Sequence, residues 1–244
     1  MHDWTRVTPN EYHTFHGRWT YALCDALNAG LLPAGFYAMA DFSLRTVIPD
    51  VLTLQRPGDA PAIPAGVATA PPRTRFVAAE NLKSRLRTRR VSVCTPTPRR
   101  HTVIAIVEIV SPGKKARRSE LRDFVGKVTG ALDAGVHVLV VDPFPPGPFD
   151  PEGIHGAIWK AATGRPFELP DDKPLTLAAY EARTGAKVSA FVEPVAVGDA
   201  LRDMPLFLGP DVYVNAPLEA TYQTAWAAFP AELRAVVAPD QPPG

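Results

Sequence analysis

Apolar positions along the chain change period several times, and each change marks an element. Phe15, Trp19, Leu23, Ala26 and Leu27 recur at three-to-four spacing, which predicts an amphipathic helix over 11–30. Asn28 or Gly30 supplies its stop and Pro33 bars continuation. Phe36 to Val47 alternates as a strand does, with Tyr37, Met39 and Asp41 toward one side. Pro49 separates it from a second strand-like run, Val51-Leu52-Thr53-Leu54. Five prolines with small residues between them make 57–74 a loop or linker. Val91 to Cys94 reads as a short strand closed by Pro96 and Pro98. Thr102 to Val110 is nearly continuous β-branched apolar sequence, the pattern of a central strand covered on both faces. Ser111-Pro112-Gly113 turns the chain into a helix over 119–134, with Leu121, Phe124, Val125, Val128 and Leu132 on its apolar stripe. Gly135 caps that helix, and Val136 to Val141 is another buried strand, ended by Asp142-Pro143.

Strand, helix and strand in about forty residues make a βαβ crossover, whose two strands run parallel. The remaining pieces are a helix near 151–163, a strand at 187–193, a hairpin-like pair at 206–214 and a closing helix at 217–228. The expected fold is α/β, a mixed sheet flanked by helices and centred on 102–142. At 244 residues the chain suits a single domain, 1–244, with the proline-rich insert near 57–74 and a C-terminal extension from about 165. No internal repeat is visible. Proline is the compositional outlier: 27 residues, about twice average usage, break the chain into short elements.

The net charge of +1 conceals an uneven distribution. From Arg73 to Lys127 there are fifteen Lys and Arg against four acids, and the rest of the chain holds eleven against twenty-one. A basic middle inside an acidic frame can attract a polyanion, or it can be a solvated face with ordinary ion pairs. No apolar run reaches the ~18 residues of a membrane span, and the first six residues show no signal-peptide pattern. Cys24 and Cys94 form neither a disulfide framework nor metal-ligand spacing; small buried groups in a reducing compartment fit them. The expected location is the cytoplasm, with no membrane partner.

Three residues carry candidate chemistry. Glu108 interrupts the most apolar strand, where a carboxylate must be paired, protonated or on a metal. It lies near the strand's C-terminal end, where open α/β sheets bind ligands, although an arginine-paired or edge-exposed glutamate would read the same way. Asp50 follows Pro49 and precedes an apolar run, so it is held at a strand start. A Pro-Asp and a glutamate on a central strand can assemble a site for Mg²⁺, which takes hard oxygen ligands. Lys127, among Phe124, Val125 and Val128, can reach back over Glu108 or else snorkel along its helix. Lys114 and Lys115 compete for that role and are otherwise phosphate contacts. His13 and His16 share one helix face but lack a third ligand at suggestive spacing, so packing against Trp19 is the plainer role and His16 a low-ranked site residue. No Gly-x-Ser-x-Gly elbow surrounds Ser111, and no P-loop, dinucleotide fingerprint or zinc motif occurs.

Taken together, Ile48-Pro49-Asp50-Val51, Glu108-Ile109-Val110-Ser111-Pro112-Gly113, the helix containing Lys127 and the strand ending Val140-Val141-Asp142 resemble the PD-(D/E)xK, restriction-endonuclease-like superfamily. More narrowly, the chain resembles the bacterial family known as domain of unknown function 4058, a relative of the Uma-type proteins. His2-Asp3-Trp4, Phe15-His16, Leu31-Leu32-Pro33 and Tyr37 extend the likeness to the start. Asp150-Pro151 through Ile158-Trp159, Leu206-Phe207-Leu208 and Pro217-Leu218-Glu219 extend it to the end.

The resemblance implies a restriction-endonuclease-like mixed sheet and a Mg²⁺ (or Mn²⁺) site at Asp50 and Glu108. The Ile109 carbonyl is a candidate third ligand, and Asp41 stands where the family usually shows glutamate. The superfamily lysine belongs two residues after the glutamate, where this chain has Val110, so Lys127 or Lys115 would substitute. The expected activity is metal-dependent phosphodiester hydrolysis, of DNA foremost. Arg85, Arg87, Arg89, Arg90, Arg99, Arg100 and Lys114 would contact phosphates in a salt-sensitive, sequence-blind manner. The alternatives are a nuclease-fold module that binds nucleic acid or protein without turnover, and a structural partner that uses the acidic frame. A homodimer is also implied, with the helix at 217–228 as a contact.

Overall fold

Thr8 starts the first helix by accepting from the Glu11 amide while the Glu11 carboxylate accepts from the Thr8 amide, and Pro9 fills the first helical position. The computed structural model describes residues 1–40, 75–78, 91–96, 101–184, 187–210 and 212–238. Helix α1 spans Pro9–Ala26 and loosens into a π turn over Leu27–Leu31, where Gly30 at φ 108° takes the left-handed conformation that ends it. Strands β1 (Tyr37–Ala40), β2 (Arg75–Ala78), β3 (Val91–Pro96) and β4 (His101–Ile109) follow. After them come α2 (Arg118–Asp133), β5 (His137–Asp142) and α3 (Gly153–Thr163). Strands β6 (Leu175–Thr184), β7 (Lys187–Val195), β8 (Met204–Gly209) and β9 (Val212–Ala216) precede α4 (Leu218–Ala227) and α5 (Ala231–Val237). The expected strand at 51–54, the proline-rich loop at 57–74 and the distal part of the 36–47 strand lie outside the described residues.

Seven strands form the main sheet in the order β1-β3-β4-β5-β6-β7-β2, and β8 with β9 forms a second, small sheet. The expected βαβ unit is present: β4 and β5 are parallel, with Glu108 level with Val140, and every other pair is antiparallel. The fold is thus α/β, a mixed sheet flanked by helices, and is compatible with a restriction-endonuclease-like architecture. Alternation along the central strands serves two cores. Ala105, Val107, Ile109, Leu139 and Val141 face α1, α4 and the small sheet, whereas Ile106, Val110, Val138 and Val140 face α2 and α3. Cys24 and Cys94 are buried and not bridged. Among the described residues no helix is long and apolar enough to cross a membrane.

Two expectations change once tertiary contacts are visible. Residues beyond 165 supply β6 and β7 to the main sheet, so this region is integral to the first core and not an appendage. The helix at 217–228, expected to offer a dimer contact, buries Leu218, Tyr222, Ala225 and Trp226 in the aromatic core with Trp4, Phe15 and Trp19. Its apolar face is therefore used within the chain and is not available to a second copy.

Among the described residues β1 ends the main sheet, and the Asn28 side chain meets its outer edge. Asn28 donates from Nδ2 to the Ala38 carbonyl (3.0 Å) and accepts the Ala38 amide at Oδ1 (2.8 Å), as a further strand would. Asn28→Ala is expected to cost about 1–3 kcal/mol in urea unfolding and to speed hydrogen exchange at the Ala38 amide. An unchanged exchange rate there would remove this role.

Candidate functional site

The C-terminal ends of the parallel pair carry the candidate chemistry. Even-numbered residues of β4 face α2, so Glu108 points into the core beneath that helix. The buried stripe of α2 holds Leu121, Phe124, Val128 and Leu132, and Lys127 falls within it. Lys127 and Glu108 form an ion pair in which both side chains are only 1% exposed. An isolated charge could not stay ionised there; the two neutralise each other. Of the two lysines left open by the sequence, Lys127 is the one brought to Glu108.

Lys115 goes elsewhere. Its ammonium contacts Asp142 Oδ2 and Asp150 Oδ2, each at 2.9 Å, and donates to the carbonyls of Phe144 (2.9 Å) and Pro145 (2.8 Å). Asp142 also accepts from the Phe144 and Ile154 amides. Burial pushes the Asp142 carboxyl up, and Lys115 opposes that shift.

From the opposite face, α1 reaches the last carbonyls of the central strand. His16 Nε2 lies 2.9 Å from the Ile109 carbonyl, and because a carbonyl can only accept, Nε2 carries the proton. One turn earlier, the Tyr12 hydroxyl donates to the Val110 carbonyl at 3.1 Å. His16 is buried with its ring near those of Tyr12 and His13, and it bonds directly to the candidate third ligand.

Lys114 lies beside an open pocket of about 360 Å³ that follows the turn after β4, together with Ser111, Gly113, Ala116, Arg117 and Glu120. Arg117 was not singled out from the sequence; its position directly before a helix, two residues after Lys115, was the available signal. Asp142 and Asp150 were likewise given no role, although each precedes a proline, Asp142 at the end of β5 and Asp150 shortly before α3. Asp41, Asp50, Arg85, Arg87, Arg89, Arg90, Arg99 and Arg100 lie outside the described residues.

Among the described residues, no group of three or more His, Cys, Asp and Glu could hold a metal ion. Glu108, among the described residues, supplies a carboxylate near the C-terminal end of β4. Its chemistry suits an Mg²⁺-type ion, which needs only one or two protein carboxylates with water completing the shell. Compared with protein-family models, curated proteins and solved structures, the chain matches none.

Proposed function

We propose that this protein is a nuclease-fold enzyme of PD-(D/E)xK type that hydrolyses phosphodiesters in DNA with Mg²⁺ or Mn²⁺. The observation that carries this reading is the buried Glu108–Lys127 ion pair at the C-terminal end of the parallel strands. Asp50 and Glu108 would hold the ion, with Asp41 and the Ile109 carbonyl as further oxygen donors. When bound, such an ion would make a coordinated water more acidic and would stabilise negative charge on the phosphate oxygens. Lys127 pairs with Glu108 and would offer N–H donors to charge developing on a phosphate oxygen. His16 and Tyr12 restrain the backbone that carries Glu108. Lys114 and Arg117 would take phosphates at the mouth, alongside the arginines at 85–100.

A second reading is favoured by Val110 at the superfamily lysine position and by the near-complete burial of the pair: a module that binds nucleic acid or protein without turnover. Relaxation of supercoiled plasmid with and without Mg²⁺ separates the two. Wild type is expected to nick in Mg²⁺ only, and Asp50→Ala and Glu108→Ala to lower the rate by about 10²-fold or more. Retarded DNA mobility without metal or cleavage selects the binding module. Cleavage unaffected by both substitutions rules out this site.

A further inference from the structure

We propose that Lys115 is a tethered cation: its ammonium fills a buried four-oxygen cage that, without it, would take a free monovalent cation of ammonium size such as K⁺. Four oxygens from three segments surround Nζ: Asp142 at the end of β5, Phe144 and Pro145 just after it, and Asp150 before α3. Asp142 and Asp150 are each 1% exposed, so two carboxylates sit side by side away from water. Like charges in that setting repel strongly and need a positive centre between them. The three ammonium protons go to Asp142, Phe144 and Pro145, while the Asp150 carboxylate lies at the same range as a fourth oxygen held by charge alone, so the shell exceeds the hydrogen-bonding capacity of the ammonium and is unlike a surface salt bridge.

The distances decide which ion the cage suits. All four lie at 2.8–2.9 Å, longer than the about 2.3–2.6 Å of Ca²⁺ or the about 2.0–2.1 Å of Mg²⁺. Contraction onto a small divalent ion is resisted by the bonds that already hold the oxygens. Asp150 Oδ1 accepts the Gly147 amide at 2.9 Å, and the Asp150 carbonyl accepts the Gly153 amide at 2.8 Å. Asp142 is held in turn by the amides of Phe144 and Ile154. The cage therefore ties the turn after β4, which carries Lys115, to the 143–152 loop and the start of α3.

Two measurements test this. Lys115→Ala leaves the cage without its cation, and its thermal midpoint in sodium or choline chloride is expected about 10 °C below wild type. Potassium or ammonium chloride at the same ionic strength should recover about 3 °C or more in the variant and nothing in wild type. An unchanged midpoint, or a lowered one that responds alike to potassium, sodium and choline, overturns the proposal. If the variant folds in no salt, native-state hydrogen exchange of wild type takes over. The amides of Phe144, Gly147, Gly153 and Ile154 should then open together as one unit. Independent opening of these amides would likewise overturn it.

Discussion

Lys127→Met is expected to destabilise the fold by about 3–5 kcal/mol, measured by urea denaturation near neutral pH. The cause is the carboxylate left behind. Glu108 is 1% exposed on a central strand, flanked by Ile106 and Val110, so without its ammonium it must either stay charged in an apolar core or take up a proton. Glu108→Leu should be costly for the reciprocal reason. The double variant Glu108→Leu/Lys127→Met is expected to recover most of the loss, because apolar groups of similar volume often replace a buried pair at no net cost. The double-mutant cycle then isolates the coupling between the two. Single losses below about 1 kcal/mol would mean that water reaches the pair. The double variant also has functional value: it separates charge from fold. A stable double variant without plasmid cleavage would mean that these charges are retained for chemistry.

Acidification below pH 6.5 is expected to unfold the protein steeply, through two histidines buried in the neutral form. Burial pushes His137 down to about 4, and its Nδ1 accepts the Ala182 amide at 3.0 Å. His155 is pushed down to about 3 by the same cause, within an aromatic nest of Trp159, Phe167 and Tyr180, whose hydroxyl is 2.6 Å from Nδ1. Both values lie below the ordinary histidine value of 6.5. The unfolded chain therefore binds more protons than the folded one in that window. Stability is full above pH 6.5 and is lost as pH falls toward the folded-state values. With two protons taken up on unfolding, the slope approaches about 2.7 kcal/mol per pH unit between pH 6 and pH 4. The two histidines together remove about 6 kcal/mol by pH 4, a large fraction of a domain stability of about 5–15 kcal/mol. Urea midpoints measured from pH 4 to pH 7 give the slope. His155→Gln, which keeps a partner for Tyr180, should roughly halve it. A slope unchanged in that variant would assign the acid sensitivity to other groups.

What the sequence by itself determined is whatever depends on neighbouring residues. The β-branched run at 102–110, the amphipathic helix after it and the apolar run at 136–141 carry their periods locally, so the parallel β4–β5 unit was legible. The same is true of Glu108, because a charge inside such a run must find a partner whatever the fold. Strand β6 was not legible: Leu175–Thr184 includes Ala178, Ala179, Glu181 and Ala182, residues of higher helix than strand propensity. Its pairing with β5 and β7 and its burial on both faces override that preference. The choice between Lys127 and Lys115 also lay beyond the sequence, since either can reach a strand end. Only tertiary structure decided it, by setting Lys127 on the buried face of α2 against Glu108 and turning Lys115 toward Asp142 and Asp150. Periodicity and propensity act through adjacent residues, whereas the partner of a buried charge is set by which segments the packed layers bring together, and that is a property of the whole chain.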